Sequence, residues 1–304
     1  MNPRLPIAVL AGAATLLLAA CSSGATTTPA AAAGDKIAVV ASTDVYGSIV
    51  AAVGGDRVEV RSLIDGPNAD PHEYESTPAD AAAVARATLV VVNGGGYDDF
   101  ATKIVDSTGT KPVVIDAVAL SGLRKPGETE FNEHVWYDLG TVRTVAAEIA
   151  KDLAAASPAD AATFTANAQR FGTDLDGLQQ KIAAIKAAHD GQRIAVTEPV
   201  PLYLTEAAGL QNVTPEAFSE AVEEGNDPPA AVLAQTLAIF PGVKALVANS
   251  QTESPSTTQV ENAAKAAGVP VVAVSETLPA GVTSYVAWQS AQLDALAGAL
   301  NSAA

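Results

Sequence analysis

The chain has 304 residues, 34 of them acidic and 17 basic, with a net charge of −17 and a single cysteine. Such acidity argues against nucleic acid as a partner and against an electrostatic grip on anionic lipid. One cysteine excludes a disulfide framework and a thiolate metal site, so any metal must be held by nitrogen and oxygen donors. Histidine is scarce, with only His72, His134 and His189.

Arg4 followed by the apolar run Ile7 to Ala20 reads as a secretory leader over residues 1–20, too short for a comfortable membrane span. It ends Leu18-Ala19-Ala20-Cys21, which resembles a bacterial lipobox, and the only cysteine stands where lipid attachment needs a thiol. Ser22 to Gly34 is rich in Ala, Thr and Ser, without charge or periodicity. Residues 21–35 are therefore expected to be a lipid-anchored flexible tether.

From Lys36 the pattern alternates strand and helix. Strands are predicted at Ile37 to Ala41, Val58 to Ile64, Leu89 to Val92 and Val113 to Ile115. Helices are predicted at Tyr46 to Val53, Ala79 to Ala87, Phe100 to Val105 and Thr141 to Leu153. Thr77 before Pro78 is a helix-start signal. Asn93-Gly94-Gly95-Gly96 lacks the spacing of a phosphate-binding loop and reads as a turn. Alternation of this kind predicts a mainly parallel sheet with covering helices, here over residues 36–157.

Ser157-Pro158-Ala159-Asp160 then starts a longer helix. Phe164, Ala168, Phe171, Leu175, Leu178, Ile182 and Ile185 recur at spacings of four and three, giving one apolar stripe. Carried over residues 158–189 the helix would be roughly 48 Å long, and it reads as a connection between two lobes. The alternative is a helical hairpin broken at Gly172. His189, beside Asp190, reads as a solvated residue at the helix carboxyl end.

Beyond Gly191 the alternation resumes over residues 190–304. Strands are predicted at Arg193 to Thr197, Ala245 to Ala248 and Val271 to Val274. Helices are predicted at Leu202 to Ala208, Pro229 to Phe240, Thr257 to Ala267 and Tyr285 to Leu300. The acidic loop Glu216 to Asp227, with Glu216, Glu220, Glu223, Glu224 and Asp227, reads as a solvated surface; the alternative is that it gathers cations weakly or contacts a partner protein. The fold class is α/β: two lobes, each a mainly parallel sheet with covering helices, joined by one long helix.

In open α/β sheets, ligands bind beyond the carboxyl ends of the strands. His72 follows the second strand, on the proline-stiffened loop Asp70-Pro71-His72-Glu73-Tyr74-Glu75. His134 follows the fourth, and Glu198 and Glu276 directly follow strands of the second lobe. Two candidate ligands from each lobe could enclose an ion in the cleft between them. Asp138 is a candidate acceptor for the His134 ring.

At these residues the chain resembles the solute-binding lipoproteins of metal-ion ABC transporters, the family that captures zinc or manganese. Asp70-Pro71-His72-Glu73-Tyr74-Glu75 is similar to the family's first-ligand motif and His134-Val135-Trp136-Tyr137-Asp138 to its second. The third and fourth ligands fall on Glu198 and Glu276. Zinc-type members often carry His at the third position and manganese-type members often Glu, and the fourth is usually Asp. Ser121 to Glu133 lacks the His-rich loop frequent in zinc-type members.

The resemblance implies one divalent ion as cargo, with Mn2+ or Fe2+ favoured over Zn2+, because two imidazoles and two bidentate carboxylates offer six donors. It implies an ABC permease as partner, a lipid anchor at Cys21 on the extracytoplasmic face of the membrane, a monomer, and no enzymatic activity. The alternatives are a surface adhesin or scaffold with a degenerate metal site, or a metal-dependent surface hydrolase. The hydrolase would need an exposed metal-bound water and a general base. No nucleophile motif such as Gly-x-Ser-x-Gly is present to suggest other hydrolytic chemistry.

Overall fold

The computed structural model describes residues 35–66, 74–127 and 131–302. The leader, the tether with Cys21, and His72 lie outside the described residues.

The first half of the fold contains β1 (Ile37–Thr43), α1 (Asp44–Gly54), β2 (Val58–Ile64), α2 (Pro78–Val84), β3 (Leu89–Val92), α3 (Asp99–Thr108), β4 (Val113–Asp116), α4 (Ala117–Ser121) and α5 (Leu139–Ala156). Helix α6 (Ala161–His189) follows a short 3-10 turn at Pro158–Asp160. The second half contains β5 (Arg193–Val196), α7 (Leu202–Ala207), β6 (Gln211–Asn212), α8 (Glu216–Glu223), α9 (Ala230–Leu237), β7 (Ala245–Asn249), α10 (Pro255–Ala266), β8 (Val271–Val274) and α11 (Tyr285–Ser302).

Each half forms one four-stranded sheet, with orders β2-β1-β3-β4 and β6-β5-β7-β8, and every pairing is parallel. The reason is visible in the strands. Leu89–Val92 and Ala245–Asn249 are buried at every residue, as strands covered on both faces must be. In each order the chain reverses direction of travel between the first and second inner strands. That reversal opens a crevice at the strands' carboxyl ends, between β1 and β3 in one sheet and β5 and β7 in the other.

Helix α6 is continuous through Gly172 and Gly177, so the broken hairpin does not form. Phe164, Phe171, Leu175, Leu178, Ile182 and Ile185 are all buried along one face, and Ala168 packs beside them. Burying six large side chains outweighs the roughly 1 kcal/mol that each helical glycine costs. The helix packs on α1, α5 and α11. One apolar core accordingly runs from Val39 and Val91 of the first sheet, through α5, α6 and α11, to Val196 and Val247 of the second. Two smaller clusters cover the outer faces of the sheets.

Several elements differ from expectation. Glu216 to Glu223 is helical, with Phe218, Ser219 and Val222 buried, whereas the acidic run reads as a loop. Its apolar stripe is short and hidden among glutamates. His189 is 7% exposed and belongs to the core side of α6, so it is not a solvated helix-end residue. The glycine turn after β3 is closed from within: the Asp98 carboxylate accepts from the amides of Asn93 at 2.6 Å and Gly94 at 2.8 Å. Those amides are thereby unavailable to a phosphate.

Candidate metal centre

His134 is placed by a short 3-10 turn, Val135–Tyr137, that leads into α5. Val135, Trp136 and Tyr137 are all buried, and their packing fixes the residue before them. The His134 ring is itself fully buried, set edge-on to Trp136 at 5.0 Å and to Tyr97 at 5.9 Å between centroids. Its Nδ1 lies 2.8 Å from Asn132 Oδ1. With Nδ1 committed to that acceptor, Nε2 is the nitrogen left for a ligand. Nε2 faces Glu223 Oε1 at 3.3 Å.

Asp138 does not serve the ring as expected. Its carboxylate accepts from the Thr141 amide at 2.6 Å and the Thr141 hydroxyl at 2.7 Å, capping α5. Four unsatisfied amides at a helix start compete for such an acceptor. Asn132, two residues before the ring rather than four after it, takes the place instead.

Glu198 and Glu276 stand at the carboxyl ends of β5 and β8, with exposures of 1% and 4%. Asn249, the last residue of β7, lies between them. Its side-chain amide donates to Glu198 Oε2 at 2.5 Å and to Glu276 Oε1 at 2.7 Å. Thr252 donates to Glu198 Oε1, and Tyr97, from the loop after β3, donates to Glu276 Oε2 at 3.1 Å. The three expected ligands within the described region are thus linked through Glu223, Asn249 and Tyr97 rather than converging directly. Among the described residues no three His, Cys, Asp or Glu side chains form a ready-made metal cage.

His72 lies outside the described residues, but the chain leading to it is anchored beside this cluster. Gly66 donates its amide to Asp44 Oδ2 at 2.9 Å, and its carbonyl accepts from the hydroxyl of Thr277, next to Glu276, at 3.2 Å. Asp44 also accepts from the Leu278 amide at 3.0 Å. The opposite wall is tied by Asn132 Nδ2 donating to the Pro199 carbonyl and Tyr203 donating to the Asn132 carbonyl.

The electrostatics follow from burying several acids around one ring. Burial pushes the Glu198 carboxyl up, and the charges of Glu223 and Glu276 add to this against the hydrogen bonds of Thr252 and Asn249, bringing it to about 8. Burial pulls the His134 ring down, but Glu223 foremost, with Glu276 and Glu133, carries it up to about 9. Near neutral pH, protons on these two groups offset part of the crowded negative charge. A divalent cation could do the same more fully.

Beside His134 opens a cavity of about 520 Å³, lined on one side by Asn132, Glu133 and Pro199 and on the other by Glu216, Glu220 and Glu223. From sequence Glu223 is one of five acids in a run that reads first as a solvated surface, with cation gathering as the alternative, and its charge does not single it out from its neighbours. The available signal was the pair Phe218 and Val222, spaced as on a helix, with Glu223 next in line.

The family model described as zinc-uptake complex component A, periplasmic, matches residues 39–299. The manganese-binding lipoprotein MntA of Halalkalibacterium halodurans is 28% identical over 182 residues, covering 59% of this chain and 60% of that protein. The chain thus matches about three fifths of that relative's length. The iron ABC transporter substrate-binding lipoprotein MtsA of Streptococcus pyogenes serotype M1 is 27% identical over 254 residues, 78% of each chain. Among solved structures, the periplasmic zinc binding protein TroA from Treponema pallidum shares the fold, with a TM-score of 0.75 at 20% identity over 88% of this chain and 99% of that one.

Proposed function

The chain belongs to the zinc-uptake complex component A family, and from that premise we propose that it is an extracytoplasmic solute-binding lipoprotein that captures a divalent transition-metal ion between its two lobes and delivers it to an ABC permease. The observation that carries this reading is the buried cluster at the strand ends. His134 offers Nε2 from one half of the fold, and Glu198 and Glu276 are drawn together by the Asn249 amide in the other. Enclosure supports a carrier over a hydrolase, since the ring and both carboxylates are almost wholly shielded from solvent.

The ligands in this reading are His72, His134, Glu198 and Glu276. The anchoring of Gly66 on Thr277 supports His72, because it starts the intervening loop beside Glu276. Two imidazoles and two carboxylates suit Mn2+ or Fe2+ better than tetrahedral Zn2+ when the carboxylates bind through both oxygens. The similar proteins named for manganese and iron support a choice of that kind, and the matching family is named for zinc uptake. Cys21 carries the lipid that holds the protein at the membrane, after removal of residues 1–20, and the carrier is a monomer with residues 36–157 and 190–304 as its lobes and 158–189 joining them.

The test is elemental analysis after competition. The metal-free full chain in detergent is offered equal, limiting Mn2+, Fe2+ and Zn2+ without oxygen, beside Glu198→Ala. One tightly held equivalent in the parent, lost in the variant, is the expected result, and its identity names the cargo. No stoichiometric metal in either protein would overturn the uptake reading in favour of an adhesin or scaffold.

A further inference from the structure

Glu223 is not among the four ligands above, yet its carboxylate faces the one free nitrogen of His134. Nδ1 is held by Asn132 Oδ1 at 2.8 Å, and Nε2 is 3.3 Å from Glu223 Oε1. The contact joins the turn before α5 to the last residue of α8, in the other half of the fold. It is shielded: the His134 side chain is fully buried and that of Glu223 is 13% exposed.

The separation is informative. Two donors bound to one ion at about 2.1 Å each, and as far apart as these atoms, subtend an angle of about 100°. That lies between the octahedral and tetrahedral values. An ion could therefore meet both atoms with little movement of either backbone. Nor is Glu223 carried on a free loop. Phe218 and Val222 bury the same helix against the core around Leu246 and Val260, which fixes where the carboxylate emerges.

Resting on the metal-carrier reading, we propose that Glu223 is a further ligand: one of its carboxylate oxygens coordinates the ion captured at His134 Nε2. A third carboxylate tilts the donor set toward oxygen and beyond four-coordination. Both changes favour Mn2+ or Fe2+ over Zn2+. The geometry also gives α8 a role at the cavity it lines, since it delivers a ligand from the second half of the fold.

Glu216 and Glu224 supply internal controls. They line the same cavity and carry the same charge, but they are exposed and make no ion pair with His134. The metal-free full chain is titrated with Mn2+, and separately Zn2+, against a chelating dye, with parallel titrations of Glu223→Gln, Glu223→Asp, Glu216→Gln, Glu224→Gln and His134→Ala. Far-UV circular dichroism checks that each variant is folded. Glu223→Gln is expected to weaken Mn2+ binding by about tenfold or more, and Zn2+ binding less. Manganese-edge X-ray absorption should show one fewer oxygen neighbour in that variant. Glu223→Asp, which keeps a carboxylate, should recover part of the loss. The two control variants should change affinity by no more than about threefold. Unchanged or tighter Mn2+ binding in Glu223→Gln, with binding lost in His134→Ala, would overturn the assignment of Glu223 and leave the carrier reading standing. Wild-type affinity in His134→Ala would overturn both.

Discussion

The Tyr97 hydroxyl donates to Glu276 Oε2 at 3.1 Å, across 179 positions of sequence and from the first half of the fold to the second. Both residues are buried. Tyr97→Phe removes this donor with almost no change of volume, leaving the carboxylate one partner poorer. The metal-free protein should lose about 1–3 kcal/mol of stability, read as a lower urea midpoint with unchanged slope. An unaltered midpoint would mean that the bond contributes nothing net.

Asn249 stands between two buried acids. Asn249→Ala withdraws the amide from Glu198 and Glu276 together. Without metal the variant should be destabilised by about 3 kcal/mol, the range for hydrogen bonds to charged groups. If Glu198 and Glu276 are ligands as proposed, saturating Mn2+ should narrow the gap to the parent, because the cation would take over the amide's work on both carboxylates. Thermal melts with and without metal check this, and an equal deficit in both would refute it.

Glu198 and His134 give a pH signature. Folding raises both, to about 8 from the usual carboxyl range and to about 9 from the usual imidazole range. The folded, metal-free protein therefore holds protons that the unfolded chain releases. Its stability should be greatest below about pH 4.5 to 6.5 for these two groups and decline as pH rises to about 9, each contributing up to about 1.4 kcal/mol per pH unit within its own window. Metal affinity should move the other way if these two are ligands as proposed, since a carboxylate binds ionised and an imidazole neutral. Melting temperature and metal titrations from pH 6 to 9 should show opposed slopes, and metal uptake at pH 7 should release protons into a weakly buffered solution. Parallel slopes would contradict the assignment of these groups to the metal.

Helix α6 offers a test away from the cleft. A Cβ at Gly177 would meet nothing within 4 Å, whereas one at Gly172 would approach Arg143 Nη1 to 2.8 Å. Arg143 is paired with Asp176 at 2.5 Å. Gly177→Ala should stabilise the protein by about 0.5–1 kcal/mol. Gly172→Ala should gain less, because the guanidinium must shift. Urea denaturation distinguishes them, and equal gains would show that Arg143 moves freely.

The strand skeleton was legible because its signals are local. Leu89–Val92 and Val271–Val274 are apolar runs, Val58–Ile64 interleaves Val58, Val60, Leu63 and Ile64 with polar residues, and each is a strand over those same residues. Elements without such a run stayed hidden. Gln211–Asn212 is two exposed polar residues that pair with β5 only through backbone geometry. Helix α8 shows only a two-residue apolar signal within dense negative charge. At the cleft, Glu198 and Glu276 could be placed just after strands from sequence alone, whereas His134 stands beyond a loop, at the turn before α5. The partners that define their chemistry come from far along the chain. Asn132 lies two residues from His134, but Asn249, Glu223 and Tyr97 are joined to the cluster only by folding. No motif spacing can encode contacts of that kind.

The unbroken α6 has a consequence for how a transporter could interrogate its carrier. A 29-residue strut packed against α1, α5 and α11 makes a wide jaw-like swing expensive. Full and empty molecules should then present nearly the same silhouette to the membrane. In the carrier reading proposed above, a permease would have to feel for cargo at the lip of the crevice, where loop and short-helix positions report what lies beneath them. Discrimination would thus reside in fine surface texture, with the body of the protein serving as a fixed gauge.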